Sequence, residues 1–381
     1  MQTTVQREHF WDGLRAFLML LGIPYHVALS YQVGQDFIVH SGEGVPGFAQ
    51  IAQVLHLWRM PAFFVIAGYF AMLLLSRRDP GGWLGRRFMR LGVPFVTSVV
   101  LLVSPMNLMC ELSNLAWPEA LRSWQANSLS SGGYWVRHLW FIVVLLYFSS
   151  AAAWAASRSE AVRSGLVSPQ LDGWAARYFL AFLLIVATAI GAWEALALEA
   201  FYKAGLATMV PQQVLRLDEA IIYAPWFLFG CVLARARKML ERMAAASWPV
   251  AAVSIAVTAL WLRVHADVLP MAERFIGTFA ALATTQVLVA GARTLLDRSM
   301  PLVRKLTDAS FVVYLFHLPL IVLLVWLAQP LGVPAWVKAL TIMLLSFGLS
   351  YAIWLAVRRF RVTAFLFEGL RLPPAQPVAQ G

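Results

Sequence analysis

The sequence contains little charge and almost no cysteine. Only 13% of its 381 residues are Asp, Glu, Lys or Arg and 60% are hydrophobic, whereas a soluble globular protein carries about a quarter charged residues. So few charges cannot cover the water-facing surface of a chain this long, which excludes a soluble globular protein. Cys110 and Cys231 are the only cysteines, and both lie in apolar runs. This excludes a disulfide framework and predicts that they are packing residues.

Long apolar runs are present instead, and they predict an all-α, polytopic bundle of transmembrane helices. A helix crosses the hydrocarbon core with about 20 mostly apolar residues, and its backbone groups must bond internally in lipid. Pro61 lies inside the second run, which predicts a kink or a tilt there. The ten runs are approximately 14–34, 47–76, 92–114, 135–157, 178–197, 218–234, 247–264, 275–294, 307–328 and 335–357.

The positive charges are divided unevenly between the predicted loops. The chain has 30 Lys and Arg residues and a formal net charge of +11. With the N-terminus placed in the cytoplasm, 21 of these residues lie in cytoplasmic segments and five on the opposite side. Those five are Arg122, Lys203, Arg216, Arg263 and Arg274. By the positive-inside rule, the split predicts cytoplasmic N- and C-termini, and it explains the net charge without nucleic acid binding.

The sequence predicts one membrane domain and no separate soluble domain. Residues 1–371 contain the predicted helices, and their longest loops lie near 115–134 and 198–217. Residues 372–381 are rich in Pro, Ala and Gln, which predicts a disordered C-terminal tail. The sequence shows no internal repeat of the kind found in inverted-topology transporters.

Four ionisable residues lie within these predicted helices or at their ends. Arg15 lies at the cytoplasmic end of the first helix, and His26 follows about 16 Å further along the axis at about 1.5 Å per residue. Arg59 in the second helix reaches a similar depth, and His317 is near the middle of the ninth. Ionisable side chains inside a membrane are costly and usually functional. Because a guanidinium group stays charged, Arg59 requires water or an anion, which predicts a polar cavity.

Simpler interpretations remain open for several of these positions. Arg15 could be an ordinary arginine whose side chain extends to the cytoplasmic interface. His56 and His138 are equally compatible with a packing role and with a role in the site. His317 is either a catalytic residue or a structural partner of the site.

Three arginines form a cluster between the second and third predicted helices. Arg86, Arg87 and Arg90 lie in GWLGRRFMRLGVP, where their spacing places them on one helix face. Such a cluster suits phosphate groups, and it equally suits a topogenic role that keeps the loop in the cytoplasm. The residues alone therefore suggest that a phosphate-bearing molecule binds here and that its reactive end reaches His26, a candidate general base.

Five short motifs in order resemble the membrane acyltransferase-3 family. FWDGLRAFLMLLGIPYH contains the family's hallmark arginine and histidine separated by ten residues, here Arg15 and His26. RMPAFFVIAGYF has Ala67 where the family usually has serine. The other motifs are RRFMRLGVP at 86–94, HLWF at 138–141 and Ser310 to His317. With the FRVTAFLFEG end, the chain is most similar to a subgroup implicated in adding succinyl groups to osmoregulated periplasmic glucans.

The resemblance implies a membrane O-acyltransferase of the bacterial inner membrane. It implies His26 as the general base and Arg15 as a donor-side residue, with Asp12 placed to orient Arg15. Arg59 and His317 are expected to stabilise the oxyanion or, for a succinyl group, its free carboxylate.

The resemblance also implies the substrates. Acyl-CoA, here succinyl-CoA, is expected to bind on the cytoplasmic side as a donor substrate through Arg86, Arg87, Arg90 and Trp140, and a β-glucan is expected as the periplasmic acceptor. No permanently bound cofactor, no metal and no nucleic acid partner is expected. The lipid bilayer is the expected environment, while other glucan biosynthesis proteins and a second copy of this chain remain open as partners.

Two alternative functions are kept. One is acetyl transfer to a lipopolysaccharide or exopolysaccharide, because a single arginine decides whether a second carboxylate is accepted. The other is a transporter or flippase for an anionic solute with Arg59 as the anion site, although neither repeats nor paired broken helices support it.

Overall fold

The computed structural model describes residues 9–34, 37–39, 41–165 and 167–370. Within these ranges the regular structure is helical and contains no strand. The predicted all-α, polytopic helical bundle is therefore confirmed. The predicted tail at 372–381 lies outside the described residues.

The described residues of the first half of the chain form ten α-helices. They are α1 His9–Leu20, α2 Gly22–Ser30, α3 Phe48–Leu75, α4 Pro80–Ser98, α5 Ser104–Leu112, α6 Trp117–Ser130, α7 Gly133–Val136, α8 Trp140–Arg158, α9 Glu160–Ser164 and α10 Pro169–Arg177. A π-helical segment, Val99–Val103, connects α4 to α5, and a 3-10 turn, Arg137–Leu139, connects α7 to α8.

The second half forms nine more. They are α11 Phe179–Lys203, α12 Val210–Leu215, α13 Leu217–Leu233, α14 Arg237–Met243, α15 Trp248–Val264, α16 Pro270–Leu296, α17 Pro301–Ala328, α18 Ala335–Val357 and α19 Arg361–Glu368. A 3-10 turn, Leu206–Thr208, precedes α12.

All ten apolar runs predicted from the sequence lie in helices. In the described part of the chain, eight helical segments are long and apolar enough to cross a membrane. The other two runs correspond to α13, which forms a pair with α14 that is bent by 114°, and to α15, which has only 17 residues. By length and composition, the described part of the chain therefore has eight candidate spans, or nine if the bent pair is one span, which is fewer than the ten predicted because α15 is too short to count.

The first predicted helix, 14–34, differs in its bounds and its continuity. It begins earlier, at His9, ends at Ser30, and is divided at Leu21 into α1 and α2. Pro24 lacks an amide proton and removes one bond from the helical ladder. The amides of Leu21 and Tyr25 still donate to the carbonyl groups of Phe17 and Leu21, so the two pieces stay joined as one span.

The two predicted long loops contain helices, which corrects the sequence analysis. The segment near 115–134 includes α6, and the segment near 198–217 includes the end of α11 and all of α12. Hydropathy detects helices that cross lipid. It does not detect short helices rich in Ser, Asn and Gln that lie outside the hydrocarbon core.

α3 and α13 approach each other closely at two glycines. A Cβ atom at Gly68 would overlap the carbonyl group of Phe227, and one at Gly230 would overlap that of Val65. Small residues at such crossings let helix backbones pack together in a membrane. Beside the crossing, the buried thiol of Cys231 donates to the carbonyl oxygen of Gly68 at 3.4 Å, and Cys110 in α5 is also a buried free cysteine, as expected of packing residues.

Candidate active site

A cavity of about 220 Å³ lies between α2, α3, α8 and α17. We call it the central cavity. Its polar and aromatic lining includes Tyr25, His26, His56, Arg59, Arg137, His138, Trp140, Tyr314 and His317. Four residues predicted from the sequence, His26, Arg59, Trp140 and His317, therefore lie around one space although they come from four separate helices.

His26 lies on α2 with its ring among other rings of the cavity. The ring centroid is 5.2 Å from that of His317 and 5.5 Å from that of Phe37, on which it stacks. The Nδ1 atom of His26 is buried, and no described residue forms a hydrogen bond with it. A ring nitrogen without a protein partner is available to take a proton from a bound hydroxyl group.

Two further histidines have ring orientations fixed by backbone carbonyl groups. Nδ1 of His317 lies 2.7 Å from the carbonyl oxygen of Tyr314, and Nε2 of His138 lies 3.3 Å from that of Leu315. Because a carbonyl oxygen only accepts, these nitrogens carry the protons. In the neutral rings, Nε2 of His317 and Nδ1 of His138 are the acceptors, and both are buried without a partner among the described residues.

Arg59 brings a permanent positive charge into this cavity. Its guanidinium group lies over the ring of Tyr25, with Cζ 4.6 Å from the ring centroid. Its Nε is buried and has no hydrogen-bond partner in the described part of the chain. None of the described residues that line the cavity is Asp or Glu. Arg59 is thus positioned to bind an anionic group of a ligand.

Gly22 makes room for the close approach of Arg59 and His317. A Cβ atom at Gly22 would lie 3.0 Å from Nε2 of His317 and 3.2 Å from Nη1 of Arg59. The sequence analysis did not identify this residue. The feature that could have indicated this close contact is a glycine one turn before His26 inside a membrane helix.

Arg137 adopts a strained backbone conformation at the edge of the cavity. Its φ is 44°, in the region that favours glycine. Its Nε donates to Oδ1 of Asn107 at 2.8 Å, and its guanidinium group lies over the ring of Tyr134. Strain of this kind persists where surrounding contacts hold it, often at functional sites. Here it places His138 and Trp140 against the central cavity.

A second cavity, of about 250 Å³, is lined by four arginines, two of which belong to the cluster on α4. We call it the arginine cavity. Its charged lining is Arg15, Arg87, Arg90, Asp308, Arg358 and Glu368. Arg15 lies 3.8 Å from Oδ1 of Asp12, and Nε of Arg87 lies 3.3 Å from the hydroxyl oxygen of Ser149. Ala67, at the family's serine position, also lines this cavity.

Arg86 differs from the other two members of the predicted cluster. Arg87 and Arg90 line the arginine cavity and Arg86 does not, although Arg86 and Arg90 are both exposed. Its Nη1 instead lies near Gly82 and Asp79, at the beginning of α4. The common helix face predicted for the three arginines therefore does not bring them to one site. Any contact between Arg86 and a ligand is made from outside the cavity.

The C-terminal helix completes the arginine cavity. α19 ends at Glu368, and the next residue, Gly369, has a φ of 63° and lies close to the backbone of Met89, which brings the end of α19 against α4. Burial raises the pKa of the Glu368 carboxyl above its ordinary value, and Arg358 at 3.7 Å acts in the opposite direction. The sequence analysis assigned no role to Arg358, Glu368 or Asp308, although the FRVTAFLFEG end marked this segment.

The two cavities share part of their walls. Met19, Phe63 and Phe141 line both. These apolar side chains separate the guanidinium groups of the arginine cavity from the imidazole rings of the central cavity. An elongated ligand with an anionic end and a reactive end would contact all three side chains.

The chain was compared with known proteins. The sequence profile of the acyltransferase-3 family, described as an acyltransferase domain, matches residues 8–355. A protein named Glucans biosynthesis protein C from Escherichia coli strain K12 is 35% identical in an alignment 158 positions long, which covers 40% of this chain and 40% of that protein. The protein of that name from Shigella dysenteriae serotype 1, strain Sd197, gives the same identity and coverage.

A longer alignment exists with a third relative. Glucans biosynthesis protein C from Escherichia coli O81, strain ED1a, is 26% identical in an alignment 381 positions long, which covers 96% of this chain and 95% of the relative. The alignments to the K12 and Shigella proteins span less than half of those proteins. No solved structure matches this chain.

Proposed function

The chain belongs to the acyltransferase-3 family, and on that premise we propose that it is a membrane acyltransferase that moves an acyl group from acyl-CoA to a glucan hydroxyl group on the other side of the membrane. The name of the relatives, Glucans biosynthesis protein C, supports a glucan as the acceptor. The proposed location is the bacterial inner membrane, where cytoplasmic acyl-CoA and a periplasmic glucan are separated. The proposed acyl group is succinyl.

The observation that carries this proposal is the shared wall of the two cavities. Met19, Phe63 and Phe141 line both the arginine cavity and the central cavity. Acyl-CoA has a matching layout, with phosphates at one end, a flexible pantetheine arm and a thioester at the other end. One bound molecule would therefore place its phosphates at the arginines and its thioester beside His26.

The arginine cavity provides the charge for the donor. Its four arginines outnumber its two carboxylates, and arginine binds phosphate through paired hydrogen bonds. Asp12, 3.8 Å from Arg15, would hold that guanidinium group in place. Trp140 in the central cavity would contact the end of the pantetheine arm or the acyl group.

The reaction uses groups already in the central cavity. A glucan hydroxyl oxygen attacks the thioester carbonyl carbon, and His26 takes the hydroxyl proton as the C–O bond forms. Arg59 binds the oxyanion that develops on the carbonyl oxygen. The C–S bond then breaks, and the proton passes from His26 to the departing thiolate of CoA. The products are a glucan ester and free CoA.

The unpaired guanidinium group also supports succinyl as the acyl group. Arg59 has no carboxylate among the described residues of the cavity lining, so the free carboxylate of a succinyl group would satisfy it. In this arrangement His317, whose Nε2 is unpartnered and is the acceptor of the neutral ring, would accept a hydrogen bond from the attacking hydroxyl group. An acetyl group has no free carboxylate, so Arg59 would then bind only the oxyanion.

The proposal is tested by replacing His26 in the purified protein. We expect His26→Ala to lower kcat for CoA release with succinyl-CoA and a β-linked glucose oligosaccharide by about 100-fold to 10,000-fold, because general base catalysis contributes that much. His9→Ala, at the beginning of α1 and outside the cavity linings, is the matched control. Mass spectrometry of the oligosaccharide identifies the product.

The outcomes separate the candidate functions. An increase of the oligosaccharide mass by one succinyl group that disappears in His26→Ala supports the proposal. An increase by one acetyl group, seen only with acetyl-CoA, would show that the donor is acetyl-CoA and not succinyl-CoA. Normal transfer by a folded His26→Ala variant rejects His26 as the base. No mass increase with any acyl donor, together with uptake of an anionic solute into proteoliposomes, would support the transporter function instead.

A further inference from the structure

A third cavity, of about 590 Å³, lies beside the central cavity on the side away from the arginine cavity. We call it the outer cavity. It is formed by the last turns of α11, the first turns of α13 and α16, and parts of α3 and α15. In the predicted topology, these helix ends carry Lys203, Arg216 and Arg274, which belong to the side opposite the termini. The proposed mechanism does not involve the outer cavity.

The outer cavity meets the central cavity at a pair of aromatic side chains. Tyr25, Leu29 and His56 line both cavities. The hydroxyl oxygen of Tyr25 lies 3.3 Å from Nδ1 of His56, and the two rings stack with centroids 5.8 Å apart. Tyr25 is also next to His26 in the chain, with ring centroids 4.8 Å apart. A group that passes this pair from the outer cavity reaches His26 directly.

Two tryptophans of the outer cavity are paired with carboxylates. Nε1 of Trp226 donates to Oε1 of Glu194 at 2.7 Å, and Nε1 of Trp261 donates to Oε1 of Glu273 at 2.9 Å. Thr278 donates to the other oxygen of Glu194 at 3.2 Å. Each carboxylate keeps further acceptor capacity, since it has two oxygens with several lone pairs. Carboxylates inside a membrane protein mark a polar ligand or pathway.

The charge balance of the outer cavity is opposite to that of the arginine cavity. Four carboxylates and two arginines line it. Both arginines already have acidic partners: Arg216 lies 3.3 Å from Asp218 and 2.6 Å from Glu219, and Arg274 lies 3.7 Å from Glu199. With both arginines paired, the described residues of this surface offer no free cation to a phosphate or another anion. It suits a neutral ligand that donates many hydrogen bonds and presents apolar faces to aromatic rings.

Sugars have this chemistry, because their hydroxyl groups donate to carboxylates and their C–H faces pack on aromatic rings such as that of Tyr202, which lines the outer cavity and is 41% exposed. We infer that the outer cavity binds neutral sugar units of the acceptor and directs one hydroxyl group past Tyr25 and His56 to His26. This inference rests on the proposed function for the reaction itself. It adds where the acceptor binds, which groups recognise it, and that Tyr25 and His56 are positioning residues at the passage.

The test separates acceptor binding from donor binding in the purified full-length protein. Glu273→Gln removes the negative charge of one carboxylate of the outer cavity, and it keeps a side-chain oxygen that can accept the hydrogen bond from Trp261. Asp218→Asn is the second variant, and Arg216 keeps its bond to Glu219 there. Asp267→Asn is the matched control, since Asp267 is an exposed acidic residue near the same end of α16 and does not line the cavity.

We expect Glu273→Gln and Asp218→Asn to raise KM for a β-linked glucose oligosaccharide at least tenfold and to leave KM for succinyl-CoA within twofold. Asp267→Asn should change neither constant. Equal changes in both KM values, or an unchanged oligosaccharide KM in both cavity variants, would overturn the inference.

Direct binding distinguishes this result from failure of the proposed reaction. Oligosaccharide titrations of tryptophan fluorescence, without any donor, should show saturable binding that is weakened tenfold or more in Glu273→Gln. Binding with this mutational response but without acyl transfer would retain the sugar site and reject the reaction. Transfer with unaffected sugar binding in both variants would retain the reaction and reject the site.

Discussion

Four nitrogen atoms of the central cavity are buried without a partner among the described residues. They are Nδ1 of His26, Nε of Arg59, Nδ1 of His138 and Nε2 of His317. A buried polar group left unpaired costs about 1–3 kcal/mol, so packing elsewhere must offset several such terms. Unsatisfied groups are uncommon in native structures. Their concentration around one cavity is the residue-scale mark of a site that completes its hydrogen bonds with a ligand.

Gly22→Ala tests how tightly this site is packed. The new Cβ atom would lie 3.0 Å from Nε2 of His317, so the imidazole and Arg59 must move away. We expect kcat to fall roughly 10-fold to 100-fold, because small displacements of catalytic groups have effects of that size. Gly348→Ala is the control, since nothing lies within 4 Å of its Cβ position. Equal activity of the two variants would show that the cavity adjusts without loss.

A second prediction ranks the arginines of the α4 cluster. Arg90 lines the arginine cavity and Arg86 does not. A hydrogen bond to a charged group contributes about 1.5–3 kcal/mol, so Arg90→Ala should raise KM for succinyl-CoA about tenfold to 150-fold. Arg86→Ala should have a clearly smaller effect. Similar, small effects of both changes, with unchanged membrane insertion, would favour the topogenic role of the cluster.

The sequence identified the chemistry of the site better than its geometry. His26, Arg59 and His317 stood out because ionisable groups are rare in apolar helices. Gly22 did not, because the need for a small residue depends on which side chains meet it from other helices. The orientations of the His138 and His317 rings likewise depend on carbonyl groups of α17. The catalytic roles assigned to Arg15, Asp12, His26, Arg59 and His317 remain predictions.

At the scale of helices, hydropathy located every apolar run but missed those helices whose residues are polar. The position of α6 could not be predicted, since residues 117–130 have no apolar run of membrane length. The 114° bend between α13 and α14 depends on packing rather than on composition. The joining of α19 to α4 also depends on a contact between distant parts of the chain, at Gly369 and Met89.

The crossing of α3 and α13 gives a prediction at this scale. A Cβ atom at Gly230 would overlap the carbonyl group of Val65, a backbone atom that cannot move alone. We expect Gly230→Ala to lower the free energy of unfolding by about 1–3 kcal/mol, as overpacking does. Thermal unfolding in detergent, followed by loss of monodisperse protein, provides the measurement. Gly291→Ala, with open space at its Cβ position, should leave Tm unchanged or raise it.

At the scale of the whole molecule, the three cavities form a series through the bundle. The arginine cavity shares Met19, Phe63 and Phe141 with the central cavity, which shares Tyr25, Leu29 and His56 with the outer cavity. The uneven distribution of positive charge predicts that the arginine end faces the cytoplasm. Donor and acceptor would then approach one histidine from opposite sides.

Orientation is measured with single introduced cysteines. Arg78→Cys, after α3, is predicted to be cytoplasmic, and Lys203→Cys, at the end of α11, is predicted to face the other side. A membrane-impermeant maleimide should label Lys203→Cys in intact spheroplasts, and Arg78→Cys only after lysis. The native Cys110 and Cys231 are buried and should give little background. The reverse labelling pattern would place the arginine cavity outside the cytoplasm and reject the donor side.

The apolar partition between the arginine cavity and the central cavity has an electrical consequence. Moving one elementary charge across a membrane potential of about 100 mV changes its energy by about 2.3 kcal/mol, so a continuous water column through the bundle would conduct protons and dissipate stored energy. Phe63 and Phe141 are almost fully buried, with 7% and 4% of their surface exposed. Because these two side chains and Met19 are apolar and line both cavities, they would interrupt such a water column while no donor lies between the cavities.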